Sequence, residues 1–293
     1  MNEPLAWCNS LVILMTCVIS FLVFRNHASE AKYIFNPESI FAGKQYYRLV
    51  SSGFLHADWQ HLMWNMVSLY FFGNLVELLF GKVDFLLIYF GAIIGGNLLS
   101  LYVHRHHDYQ AYGASGGVCG MIFAHILLLP DTGIYVYFIP VAIPGWLYAI
   151  LFLGGSFLAL KQGKDNVGHD AHLGGAIVGL LVAAGLHPEM ALNNWKIFIS
   201  ILVLAIALLA YLWINPLFLP SAAFRGGCFQ RRNPSAKLPR HRREQLEVDA
   251  ILEKVAEGGM QCVTPEERAF LESVSEKHRR RAQSKKPESE LPI

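Results

Sequence analysis

The first 220 residues of this chain carry only nine Lys/Arg and eleven Asp/Glu, and apolar runs of near-membrane length follow one another through them. That pattern leaves little choice of fold. A backbone in lipid has no water to bond, so each run must satisfy its own N–H and C=O groups, as an α-helix does. About 20 mostly apolar residues cross a bilayer in that form. Seven segments reach or approach this length: 6–24, 58–80, 83–103, 114–130, 144–161, 168–186 and 195–214. The fourth, fifth and sixth are short or interrupted by glycine. Residues 221–293 reverse the balance, with fifteen basic and eleven acidic residues, and read as water-facing. The expected class is an all-α polytopic membrane protein with a six-helix core, a seventh transmembrane helix and a small helical tail.

The expected divisions are a membrane core over 1–190, an additional helix over 191–220, a basic linker over 221–243 and a soluble helical hairpin over 244–293. Asn215-Pro216 and Pro220 end the seventh helix. In the tail, Val248, Ile251, Leu252 and Val255 form an i, i+3, i+4, i+7 stripe that Gly258-Gly259 stops. Thr264-Pro265-Glu266-Glu267 then starts a second helix. The segment 25–57 is too polar to span. Its Phe35, Phe41, Tyr46, Tyr47 and Phe54 suit the membrane interface. The N-terminus has no basic n-region or small-residue cleavage site, so 6–24 reads as a retained helix. Cys8, Cys17, Cys119, Cys228 and Cys262 show neither zinc nor disulfide spacing. The basic run Arg231 to Arg243 is a solvated face or a contact for anionic lipid.

Chemistry enters through polar residues at membrane depth, where they are costly. Ser115 lies in Gly113-Ala114-Ser115-Gly116, and His172 in Ala171-His172-Leu173-Gly174-Gly175. Gly116, Gly120 and Ala124 put small side chains on one helix face, and Ala171, Gly175, Gly179 and Ala183 do so on another. Such faces let helices approach backbone to backbone. If these two meet, a serine and a general base come within reach, as a serine nucleophile requires. Otherwise the stripes are packing alone. His61 and Asn65, four apart, share a helix face. Their N–H groups and the Ser115 backbone N–H are suitable oxyanion donors; the plainer reading leaves them as interfacial polar residues. Together these residues point to proteolysis within the bilayer.

At this point the chain resembles the rhomboid intramembrane serine proteases, of the bacterial six-helix type, over roughly residues 40–186. His61-Leu-Met-Trp-Asn65 is similar to that family's His-x-x-x-Asn, Gly113-Ala-Ser115-Gly116 to its Gly-x-Ser-Gly, and Ala171-His172-Leu-Gly-Gly175 to its Ala-His-x-x-Gly. Tyr47-Arg48 stands where the family has Trp-Arg, and Glu77 matches an acidic position at the end of the second helix. The residue four after the serine, usually Tyr or Phe, is Cys119 here. The resemblance implies a Ser115–His172 dyad without an acidic member, and an oxyanion hole of His61, Asn65 and the Ser115 N–H. It implies close-approach or structural roles for Gly113, Gly116, Gly175, Arg48 and Glu77. It implies no cofactor and no metal. The expected partners are membrane-protein substrates with a transmembrane segment and the bilayer itself, with no nucleic acid. The expected location is the plasma or inner membrane.

Other classes compete. His169-Asp170-x-His172 and the 104–107 cluster invite a metal reading, but no His-Glu-x-x-His motif is present. A polytopic transporter would use intramembrane His, Asp and Asn, yet the halves show no inverted repeat. A non-cleaving protein that binds membrane helices is the third class. Loop and tail Lys/Arg gather on the Ser115 side, which the charge rule makes cytoplasmic; the family resemblance implies a site open to the exterior.

Overall fold

The computed structural model describes residues 6–25, 30–105, 109–135, 141–162 and 167–214, together with 248, 251, 264, 268, 270, 271, 274 and 275. The chain forms two compact units, Met1–Phe229 and Gln230–Ile293. In the second, the Arg268 N–H donates to the Thr264 carbonyl at 3.0 Å, a helical turn at the expected cap. The 221–243 linker and most of the expected hairpin lie outside the described residues.

The first unit is helical, as the apolar runs require. Its elements are α1 (Trp7–Arg25), α2 (Glu30–Tyr33), α3 (Pro37–Phe41), α4 (Arg48–Ser51), α5 (Trp59–Phe80), α6 (Lys82–Val103) and α7 (Ser115–Leu128). Then follow α8 (Gly145–Gln162), α9 (His169–Leu186), α10 (Pro188–Asn193) and α11 (Trp195–Ile214). Among the described residues, α1, α5, α6, α9 and α11 are long and apolar enough to cross a membrane. α7 is not. Its 14 residues extend about 21 Å at 1.5 Å each, short of a hydrocarbon core of about 30 Å. Every residue from Gly116 to Leu128 is buried, so α7 is the interior of the bundle rather than a lipid-facing span. A two-residue antiparallel ribbon, β1 (Ile134–Tyr135) with β2 (Ala142–Ile143), joins α7 to α8 and was not foreseen in the sequence.

Local chemistry sets the ends. The Asp58 side chain accepts the His61 N–H at 2.8 Å and starts α5. Gly81, at φ +96°, stops it and turns the chain into α6. Glu77 lies in the last turn of α5, where the helix dipole disfavours negative charge. Its carboxylate accepts the Cys8 N–H at 2.9 Å and the Asn9 N–H at 2.6 Å, two donors that the first turn of α1 leaves unpaired. The Asn9 amide donates to the Leu69 carbonyl and Asn74 Oδ1, so α1 and α5 are tied by polar bonds as well as packing.

The core is α7 enclosed by α5, α6 and α9. The small-residue faces meet as the spacing predicts. A methyl group on Gly175 would lie 2.7 Å from the Gly116 carbonyl carbon, and one on Gly179 would lie 2.6 Å from the Gly120 carbonyl oxygen. No side chain fits at either position. α11 packs on α8, with Tyr211 edge-on to Phe157 at 5.4 Å, and buries Ile201, Ala205 and Leu212.

Of the aromatics between α1 and α5, Phe41, Tyr46 and Tyr47 are exposed, which suits the interface. Phe35 is not an interfacial residue: it is fully buried and pairs through its backbone with Ala111. Arg48 is also buried, and its guanidinium donates to Gln45 Oε1 at 2.7 Å and to the carbonyls of Ala31 and Ile34 at 3.0 and 2.6 Å. It holds α2 to α4 as one folded loop.

Candidate active site

Ser115 is the first residue of α7. Gly113 precedes it at φ +138°, a conformation that favours glycine. The space there is as restrictive as the torsion. A methyl group on Gly113 would lie 2.8 Å from His61 Cε1, 3.0 Å from His61 Nε2 and 3.6 Å from Ser115 Oγ. The His61 ring edge and the Ser115 hydroxyl therefore both border Gly113, and the ring leaves no room for a side chain there.

The start of α7 has no side-chain cap. The first helical bond runs from the Val118 N–H to the Ala114 carbonyl at 3.0 Å, so the N–H groups of 115, 116 and 117 precede the ladder. They lie at the positive end of the helix dipole, where developing negative charge is stabilised. Asn65, buried one turn after His61, donates one amide N–H to the His61 carbonyl at 2.9 Å.

His172 is the fourth residue of α9, and its N–H donates to the Gly168 carbonyl at 3.0 Å. The helices of Ser115 and His172 touch one residue away from each. A methyl group on Gly116 would lie 3.3 Å from the Ala171 carbonyl oxygen. The His172 ring has Phe152 and His169 among its aromatic neighbours. Phe152 of α8 lies 6.4 Å away between centroids, tilted by 32°, and His169 lies 5.9 Å away at 83°. His169 is the first residue of α9. Cys119 is buried on α7 as a free thiol.

The structure adds a residue that sequence reasoning missed. His56 lies beneath the Ser115 turn. Its Nε2 accepts the Ala114 N–H over a long 3.4 Å, and its Nδ1 lies 3.0 Å from Ser20 Oγ. Ser20 donates its hydroxyl proton to the Phe54 carbonyl at 2.9 Å, so it accepts from Nδ1–H. These bonds define a neutral imidazole with the proton on Nδ1. Burial, reinforced by the neighbouring His61, lowers its pKa to about 3. The rings of His56 and His61 stand edge to face at 5.0 Å. Together with the Gly113 N–H bond to the Ser52 carbonyl at 3.0 Å, His56 fixes the turn that presents Ser115. The only trace of this in the sequence is a second histidine five residues before His61.

A second buried pair stands behind the base helix. Asp170 Oδ2 lies 3.1 Å from His104 Nε2, with both side chains sealed from solvent. The His104 ring stacks on Tyr109 at 3.6 Å. The pair joins the end of α6 to the first turn of α9. Of the 104–107 cluster, His106 and His107 lie outside the described residues. Among the described residues, no three His, Cys, Asp or Glu side chains converge as a metal site. His125 Nε2 lies 2.7 Å from Thr132 Oγ1 in the loop after its own helix, and its ring meets Phe72 of α5 edge-on at 5.2 Å.

The family profile described as "Rhomboid domain" matches residues 43–189. The chain is 32% identical over 186 residues to "RHOMBOID-like protein 12, mitochondrial" of Arabidopsis thaliana, covering 57% of this chain and 54% of that one. It is 35% identical over 88 residues to "Putative rhomboid protease YdcA" of Bacillus subtilis, covering 30% and 44%. It is 28% identical over 170 residues to "Rhomboid protease GluP" of the same organism, covering 58% and 32%. The chain thus spans about half or less of the length of these curated relatives, and they include plant as well as bacterial proteins. The matched region contains every site residue named above from Arg48 to Gly175, in a fold of membrane-length helices. This polytopic membrane protein belongs to the rhomboid family.

Proposed function

We propose that this protein is a serine endopeptidase that hydrolyses peptide bonds in or near transmembrane segments of membrane proteins, with Ser115 as nucleophile and His172 as base. The observation that carries the reading is the start of α7. An uncapped helix end, a serine hydroxyl and the edge of the His61 ring converge beside Gly113.

In this mechanism His172 takes the Ser115 proton as Oγ attacks the scissile carbonyl. The negative charge that moves to the carbonyl oxygen is met by the Ser115 N–H, the His61 ring N–H and the Asn65 amide. An amide carries two N–H groups, so the Asn65 bond to the His61 carbonyl leaves one for the oxyanion. Protonated His172 then gives its proton to the leaving amine. Water, deprotonated by His172, cleaves the acyl-enzyme and restores the serine. Gly113, Gly116 and Gly175 keep the backbones close. Arg48 and Glu77 act on the scaffold, through the loop and through α1.

The substrates are membrane proteins that offer a transmembrane segment within the bilayer, and the membrane is read as the plasma or inner membrane. Co-fractionation with a mitochondrial inner-membrane marker, in line with the names of some relatives, would overturn that location. The chemistry is tested by reacting the detergent-solubilised full-length protein with a fluorophosphonate. Wild type should label covalently and Ser115→Ala should not. Labelling that survives the substitution refutes the nucleophile.

A further inference from the structure

A general base in a serine dyad must hold its ring so that one nitrogen faces the nucleophile, and a third group ordinarily sets that orientation. Here the residue one turn after Ser115 on its own helix is Cys119, whose small side chain offers no ring surface. Helix α8 supplies a ring from another helix. Phe152 of α8 lies 6.4 Å from His172 at a tilt of 32°, within the range where aromatic rings attract.

Phe152 is itself held on two other sides. It stacks on Tyr148, one turn earlier on α8, at 5.8 Å and 19°. Its ring also meets Phe123 of α7 at 5.6 Å and 62°. Phe123 follows Cys119 by one turn. One ring on α8 thus touches the helix of the nucleophile and the side chain of the base together. Phe152 and Phe157 both belong to α8, but Phe157 packs outward on Tyr211 of α11.

We infer that Phe152 is the positioning residue for the His172 imidazole, so that α8, rather than the Ser115 helix, sets the orientation of the base. The inference rests on the dyad proposed above and deepens it. It follows that Phe152 makes no bond to substrate. Its removal should change how fast the dyad reacts and over what pH range, without changing which residue reacts.

The test measures the second-order rate of fluorophosphonate labelling across pH for full-length wild type, Phe152→Leu, Phe152→Tyr, Phe157→Leu and Ser115→Ala in the same detergent. Thermal midpoints are recorded in parallel. Phe152→Leu should lower the rate about tenfold or more, as small misplacements of reacting groups do, and should move the acid limb of the pH profile. Phe152→Tyr restores the ring and should recover the wild-type rate and limb to within about twofold. Phe157→Leu removes the same ring from the same helix and should label like wild type. The inference is overturned if Phe152→Leu keeps the wild-type rate and profile. It is overturned equally if Phe157→Leu is slowed as much, or if Phe152→Tyr has the wild-type thermal midpoint but does not regain the wild-type rate and limb. Labelling that persists in Ser115→Ala overturns the dyad itself and this inference with it, whereas labelling lost there and unchanged in Phe152→Leu overturns the inference alone.

Discussion

At Gly113 two independent constraints exclude a side chain, the torsion of +138° and the His61 ring that fills the space a methyl would take. Gly113→Ala should therefore displace His61 and the Ser115 turn together. Fluorophosphonate labelling should fall about 100-fold, and a rate near wild type would show that the turn does not govern the site. Asn65→Ala should slow labelling by about 10²–10³, the usual loss for one oxyanion donor, with Ser115 still the labelled residue. A labelling rate unchanged by Asn65→Ala would remove the amide from the oxyanion hole. Ser115 and His172 stand out in the sequence as candidates because each is a polar group among small residues in an apolar segment, and His61 and Asn65 because they fall four apart on one helix face. His56 does not. It lies outside any membrane-length run, and its partners, Ala114 and Ser20, are 58 and 36 residues away. No local pattern encodes contacts of that range.

At the level of helices, the contact between α7 and α9 depends on glycines that face backbone rather than side chains. Gly179→Val places carbon against the Gly120 backbone. Forcing extra methyls into a packed core typically costs about 1–3 kcal/mol, so both the thermal midpoint and the labelling rate should fall. Gly155→Ala on α8, where nothing lies within 4 Å, is the matched control and should change neither. Helix ends were readable to within a residue or two because Asp58, Gly81 and Pro144 act locally. The elements α2 to α4 were not readable as helices. They run for four or five residues each; α3 has a local cap in Asn36, but α2 is tied to α4 through Arg48, which bonds carbonyls 14 and 17 residues away. The ribbon between α7 and α8 is as short and equally dependent on its partner strand.

For the whole molecule, the neutral His56 links stability to acidity. Its pKa is about 3 when folded, against an ordinary 6.5. The folded form thus resists a proton that the unfolded chain accepts below 6.5. The stabilisation is complete above that value and is lost progressively as pH falls from 6.5 toward 3. His56→Gln keeps an acceptor without titrating in this range, so its thermal midpoint should depend less on pH there than that of wild type. Equal slopes in the two proteins would exclude His56 as the source. Fold class was legible at this scale because lipid permits so few backbone solutions. The placement of α11 against α8 was not, since an apolar helix reads the same whichever neighbour it chooses. The bonds from Glu77 to the start of α1 also bear on biogenesis. Helix α1 precedes α5 in the order of synthesis, and its Cys8 and Asn9 N–H donors are completed only when residue 77 has been synthesised and inserted. α1 must therefore wait in the membrane for α5, and an insertion intermediate arrested before that residue should present an α1 that has not yet docked.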